Sequence, residues 1–126
     1  MTAYLTSEDL LWLVDFLEVG PVRDVGLIES SAHRPATDVM GHRPYPTVAD
    51  KAAALLHSLV SSHPLVDGNK RLAWAATVVF LDINGYSVVM DDDDAYRLVV
   101  ASTEGSLDIT EIAERLAGAM TPRPAR

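Results

Sequence analysis

His63-Pro64-Leu65-Val66-Asp67-Gly68-Asn69-Lys70-Arg71 lies between two apolar helical patterns, and its reading decides how the chain is organised. Upstream, Lys51 to Val60 is an Ala- and Leu-rich helical run. Pro64 disfavours helix for the residue before it, so the His63 imidazole is expected where that helix stops. Downstream, Leu72 to Ile83 has almost no polar interruption, the pattern of a helix buried on most of its faces. The quoted stretch therefore reads as a loop that opens onto the N-terminus of a central helix.

Lys70 and Arg71 stand in the first turn of that helix. The first turn has unpaired N–H groups and a partial positive charge, which disfavours a cation there by roughly 0.3–1 kcal/mol. A bound anion resolves the conflict. Gly68 lets backbone N–H groups converge on such a ligand, and Asn69 caps the helix or adds a side-chain donor. Lys70 and Arg71 then supply charge to phosphate oxygens. His63 is suited to take a proton from an incoming nucleophile, and Asp67 to hold Mg²⁺ or orient a hydroxyl. This is the chemistry of phosphoryl or nucleotidyl transfer.

Other readings of the loop fare worse. His63 and Asp67 have the i,i+4 spacing of a helical metal pair, but Pro64 and Gly68 oppose a helix across them, and no His-Glu-x-x-His occurs. Gly68-Asn69-Lys70-Arg71 lacks the earlier Gly and the following Ser or Thr of a P-loop.

His-Pro-x-x-Asp-Gly-Asn-Lys-Arg resembles the signature of the Fic/Doc family, and the Lys after Asn resembles its Doc (death-on-curing) branch rather than Fic proteins, which carry Gly there. Further similarity runs through Gly26-Leu27-Ile28-Glu29-Ser30, Arg34-Pro35, Tyr45-Pro46-Thr47 and Asn84-Gly85-Tyr86. Leu65 replaces the usual Phe, and Trp74 stands where Fic nucleotidyltransferases have a second Arg. The resemblance implies an all-α Fic-like bundle of about six helices. It also implies a Doc-type toxin, an ATP- and Mg²⁺-dependent kinase that phosphorylates a protein hydroxyl, with elongation factor Tu as the target known for the family. His63 is then the general base, with Asp67 beside it as Mg²⁺ ligand or nucleophile-orienting group. Gly68, Asn69, Lys70 and Arg71 hold the phosphates. The partner implied is a Phd-like antitoxin whose disordered segment folds as a helix into an apolar groove. Two alternatives are AMP transfer to a protein hydroxyl and an inactive module that binds nucleotide or partner only. The self-restraining [Ser/Thr]-x-x-x-Glu-[Gly/Asn] helix is not found, since Glu104-Gly105 has Val100 four residues before it.

Composition bounds the remainder. With 126 residues the chain suits one domain, residues 1–126, large enough for a real core. It has no Cys, so no disulfide or thiolate metal site, and a cytoplasmic location is expected. A net charge of −8 argues against direct DNA binding through a basic surface. The apolar run at Leu72–Ile83 falls short of the roughly 20 residues that span a bilayer, so no membrane partner is expected.

In chain order, Thr6 or Ser7 caps a helix with Leu10, Leu13, Val14 and Leu17 on one stripe, and Gly20-Pro21 ends it. A second helix is predicted over Asp24 to Ala32. Residues 34–46 carry Pro35, Gly41, Pro44 and Pro46 and read as a flap-like loop, from which Arg34 and Arg43 could reach substrate. By resemblance this loop lies over the active site. Thr47 caps the helix that delivers His63. Gly85 stops the central helix, Ser87 to Met90 is extended, and Asp91 to Asp94 open a helix over Ala95 to Thr103, where capping is preferred to a metal site. Leu107 to Ala119 forms the last helix, and residues 121–126 read as a frayed tail. Trp74 reads as core rather than as a stacking platform. His33, His42 and His57 have no partner that the sequence names.

Overall fold

Side-chain caps in the sequence set where most of the helices begin. In the computed structural model, which describes residues 1–124, Thr6 accepts the Asp9 N–H and the Asp9 carboxylate accepts the Thr6 N–H, which starts α1 (Ser7–Leu17). Asp24 caps α2 (Val25–His33), which runs into a single 3₁₀ turn at Arg34–Ala36. Thr47 and Asp50 form the same reciprocal box before α3 (Val48–Ser62). Asp91 caps α5 (Asp92–Thr103), and Asp108 with Glu111 caps α6 (Ile109–Ala119). Caps of this kind contribute about 1 kcal/mol each. The exception is α4 (Asn69–Ile83), whose cap is Gly68 with no side-chain bond.

These are six helices, as the sequence predicts, and the four acids at 91–94 serve the start of α5. The core is continuous through all six. Leu10, Ile28, Leu55, Leu56, Leu59, Leu72, Phe80, Leu81, Leu98, Ile112 and Leu116 are its largest members, each almost fully buried. The helices α3 and α4 share the centre. Ala52, Ala53 and Ala54 let neighbours approach α3 closely, whereas α4 is buried along Leu72, Ala73, Ala76, Thr77, Phe80 and Leu81. Thr77 donates to the Ala73 carbonyl, and Ser31 and Ser58 share a buried hydroxyl pair at 2.9 Å, so these interior hydroxyls are satisfied.

The tail departs from expectation. Met120–Pro122 is a strand, β2, antiparallel to β1 (Tyr86–Val88) with Ser87 opposite Thr121. Arg123 continues the contact, its N–H donating to Gly85 O and its guanidinium pairing with Asp82 at 2.9 Å. The frayed-tail reading is therefore corrected for residues 121–123. Proline-rich polar sequence looks unstructured locally, but its backbone groups here are satisfied by a segment some thirty-five residues earlier in the chain. The remaining part of that reading, at 125 and 126, lies outside the described residues.

Candidate functional site

The loop from His63 to Gly68 is held by a second loop that the sequence did not single out. Residues 18–24, between α1 and α2, run alongside it: Val22 and Leu65 form an antiparallel bridge, and Val66 N–H donates to Pro21 O. Gly20 N–H donates to Asp67 O at 2.9 Å, and the Arg23 and Asp24 N–H groups both reach Pro64 O.

His63 caps the C-terminus of α3 in the left-handed region, φ 54° and ψ 61°. That conformation is uncommon for a residue with a β-carbon and persists where surrounding contacts dictate it. Arg23 supplies them. Its Nε and an Nη donate to His63 O at 2.9 and 2.7 Å, and an Nη also donates to Ser62 O at 3.0 Å. A cation at this position also meets the negative end of the α3 dipole. The His63 ring lies 3.1 Å through Nδ1 from Ser61 O. A carbonyl oxygen only accepts, so the neutral ring carries its proton on Nδ1 and keeps the lone pair on Nε2.

Gly68 takes φ +92° at the start of α4, and its Cα faces Val19. Asn69 does not cap the helix. Its side-chain oxygen accepts Leu65 N–H at 2.9 Å and its amide donates to Leu65 O at 3.0 Å, which closes the loop on itself. Arg71 donates to Leu17 O at the end of α1. Lys70 is exposed and has no ion pair among the described residues.

His63, Asp67, Gly68, Asn69, Lys70 and Arg71 all line one pocket of about 640 Å³. The six sequence-predicted site residues are thus brought together by the loop and the first turn of α4. Beyond them the pocket continues as an apolar groove between α4 and α5, walled by Trp74, Ala95, Tyr96 and Val99. Trp74 packs on the core with one side and lines the pocket with the other, so the all-core reading of this residue is corrected. Residues 34–46 do not line this pocket. Arg34 Nε donates to the Tyr45 hydroxyl at 3.0 Å, and Arg43 pairs with Asp38 at 3.3 Å. Arg23 and Val19 are the positioning residues that sequence reasoning missed, since neither carries a local signal for a contact about forty or more residues away.

A glycine-started central helix, an imidazole at the preceding helix end and a cationic first turn are thus brought together in one helical bundle. The chain belongs to the Fic/DOC family, whose sequence model matches residues 4–81. It is also 45% identical over 122 residues to Toxin Doc of Mycolicibacterium smegmatis (strain ATCC 700084 / mc(2)155), an alignment covering 94% of each chain. No helix among the described residues is long and apolar enough to cross a membrane.

Proposed function

We propose that this chain is a Doc-type toxin that transfers the γ-phosphoryl group of ATP to a protein hydroxyl, with elongation factor Tu as the target. The observation that carries the reading is the His63 Nδ1 contact with Ser61 O, which leaves Nε2 as a base in a pocket that also holds the N-terminus of α4 and Lys70. In this mechanism Nε2 takes the proton of the target hydroxyl as its oxygen attacks phosphorus. The α4 N–H groups and the Lys70 ammonium stabilise charge that develops on the phosphoryl oxygens, and ADP leaves. Arg71 keeps further N–H donors for phosphate while one is tied to Leu17 O.

Mg²⁺ fits this donor set. A phosphate-bound Mg²⁺ needs only one or two protein carboxylates, and Asp67, exposed on the pocket wall, offers one although no three-ligand cluster exists among the described residues. When bound it would neutralise phosphate charge. The antitoxin reading has its counterpart in the apolar groove past Trp74 and Tyr96, which has the character that a helical segment of a Phd-like partner would cover. A cytoplasmic location accompanies the proposed target.

Phosphate rather than AMP transfer is favoured by two side chains. Lys70 fills space beside the α4 N-terminus that a Gly would leave open for deeply seated β- and γ-phosphates, and Trp74, one turn on, puts an aromatic ring where a second cation would neutralise them. The γ-phosphate then faces His63. Incubation with elongation factor Tu and ATP labelled at the α or the γ position tests this: label from γ-ATP alone is expected, and label from α-ATP would establish AMP transfer instead. No transfer of either label, with nucleotide still bound, would leave a binding module.

A further inference from the structure

Lys51, in the first turn of α3, is only 7% exposed and lines a second pocket, of about 560 Å³. The pocket lies roughly 18 Å along α3 from His63. An ammonium has three N–H donors, and among the described residues the Lys51 ammonium donates only to the backbone carbonyl of Tyr45. The ion pairs among the described residues join Arg43 to Asp38, Arg97 to Asp94 and Arg123 to Asp82, and none reaches Lys51. A buried ammonium without a counter-charge is unfavourable, and proteins ordinarily pair such a group. Asp38 shares the pocket, but its carboxylate already accepts the Gly41 N–H at 2.8 Å and Arg43 Nε at 3.3 Å.

We propose that this pocket is a second anion site, in which the Lys51 ammonium binds a small molecule bearing an oxyanion, either phosphate or carboxylate. Arg43 on the rim has its charge offset by Asp38 but keeps further N–H donors for the ligand's oxygens. Pro35 and Pro46 give the ligand's carbon framework an apolar wall, and the volume is that of a small-molecule site rather than of a single trapped ion. The ligand supplies the counter-charge that the fold leaves out. The site is separate from the phosphate-binding loop and uses none of its residues.

The test is an NMR titration of the full chain with sodium phosphate and, separately, sodium acetate at constant ionic strength. The signals read are the Lys51 Nζ and the backbone amides of Thr37 and Arg43. Saturable shifts are expected at all three. They should persist in Lys70→Ala, which weakens the loop site, and Lys51→Met should weaken binding on the order of tenfold or more, as for loss of a charge-assisted hydrogen bond. Tighter binding of phosphate would identify a phosphate ligand, and tighter binding of acetate a carboxylate. Absent or non-saturating shifts in the parent protein would overturn the proposal, as would equal affinity in a folded Lys51→Met. Should Lys51→Met not fold, the Lys51 Nζ signal of the parent decides alone.

Discussion

A β-carbon placed on Gly68 would lie 2.4 Å from the β-carbon of Val19, so the start of the central helix and the loop after α1 touch backbone to side chain. Lys70 and Arg71 follow in the first turn of the helix that begins at this contact. Gly68 is required twice, by its φ of +92° and by this approach.

Gly68→Ala should therefore destabilise the protein by about 2–4 kcal/mol, combining left-handed strain with overpacking. Urea denaturation measures it. In Gly68→Ala/Val19→Gly, which removes the Val19 β-carbon together with both methyls, the overpacking part should be relieved while the strain remains, so the double variant is expected between the parent and the single variant once the cost of Val19→Gly is subtracted. A Gly68→Ala protein as stable as the parent would contradict the contact.

Arg23→Ala removes three charged hydrogen bonds from the last carbonyls of α3 and should lower stability by about 1–3 kcal/mol. It should also lower transfer activity more than it raises KM for nucleotide, because Arg23 fixes His63 without lining the pocket. Arg23→Lys, which lacks the guanidinium fork, should recover only part of the loss. Unchanged activity in a folded Arg23→Ala would show that His63 holds its position unaided.

His63→Ala should abolish growth inhibition in a bacterial host while leaving circular dichroism and the melting temperature close to the parent's. The side chain is exposed, and its one hydrogen bond is to a local carbonyl. A folded variant as toxic as the parent would remove the proton-transfer role.

His57 carries a pH dependence of a definite sign. Burial first, and the positive charge of Arg34 second, hold its pKa below the ordinary 6.5. Its Nδ1 is buried and has no hydrogen-bond partner among the described residues. The unfolded chain thus binds a proton at higher pH than the folded one, and the stability contributed by neutral His57 is present above pH 6.5 and is lost as pH falls towards the lowered folded value. The urea midpoint should drop as pH falls below 6.5, less steeply in His57→Gln. Equal slopes in the two proteins would mean that His57 does not contribute.

Much of this architecture is legible in the sequence. Thr6, Asp24, Thr47 and Asp91 announce helix starts because capping is a contact within three residues, and a local contact is written in local sequence. His63, Asp67, Gly68, Asn69, Lys70 and Arg71 share a pocket because they are neighbours in the chain, so their meeting needed only a loop and one helical turn.

Asn69 shows where local reading misassigns a role. Its place at a helix start suggests a cap or a donor for the ligand, yet the Leu65 backbone offers both a donor and an acceptor within one loop, and the carboxamide satisfies both at once. The tail departs from its local reading for a related reason. The partner of Met120–Pro122 is Tyr86–Val88, and strand pairing over that separation leaves no trace in the composition of either segment.

The sequence by itself determined six helices, their caps and the cationic loop, since propensity, periodicity and capping act over a few residues. Tertiary structure alone decided that Arg23 grips the His63 carbonyl, that Val19 presses on Gly68, and that Lys51 is enclosed with no ion pair among the described residues. Those facts depend on which distant segments share space, and burial changes the cost of an unpaired charge only once the fold has removed water from it.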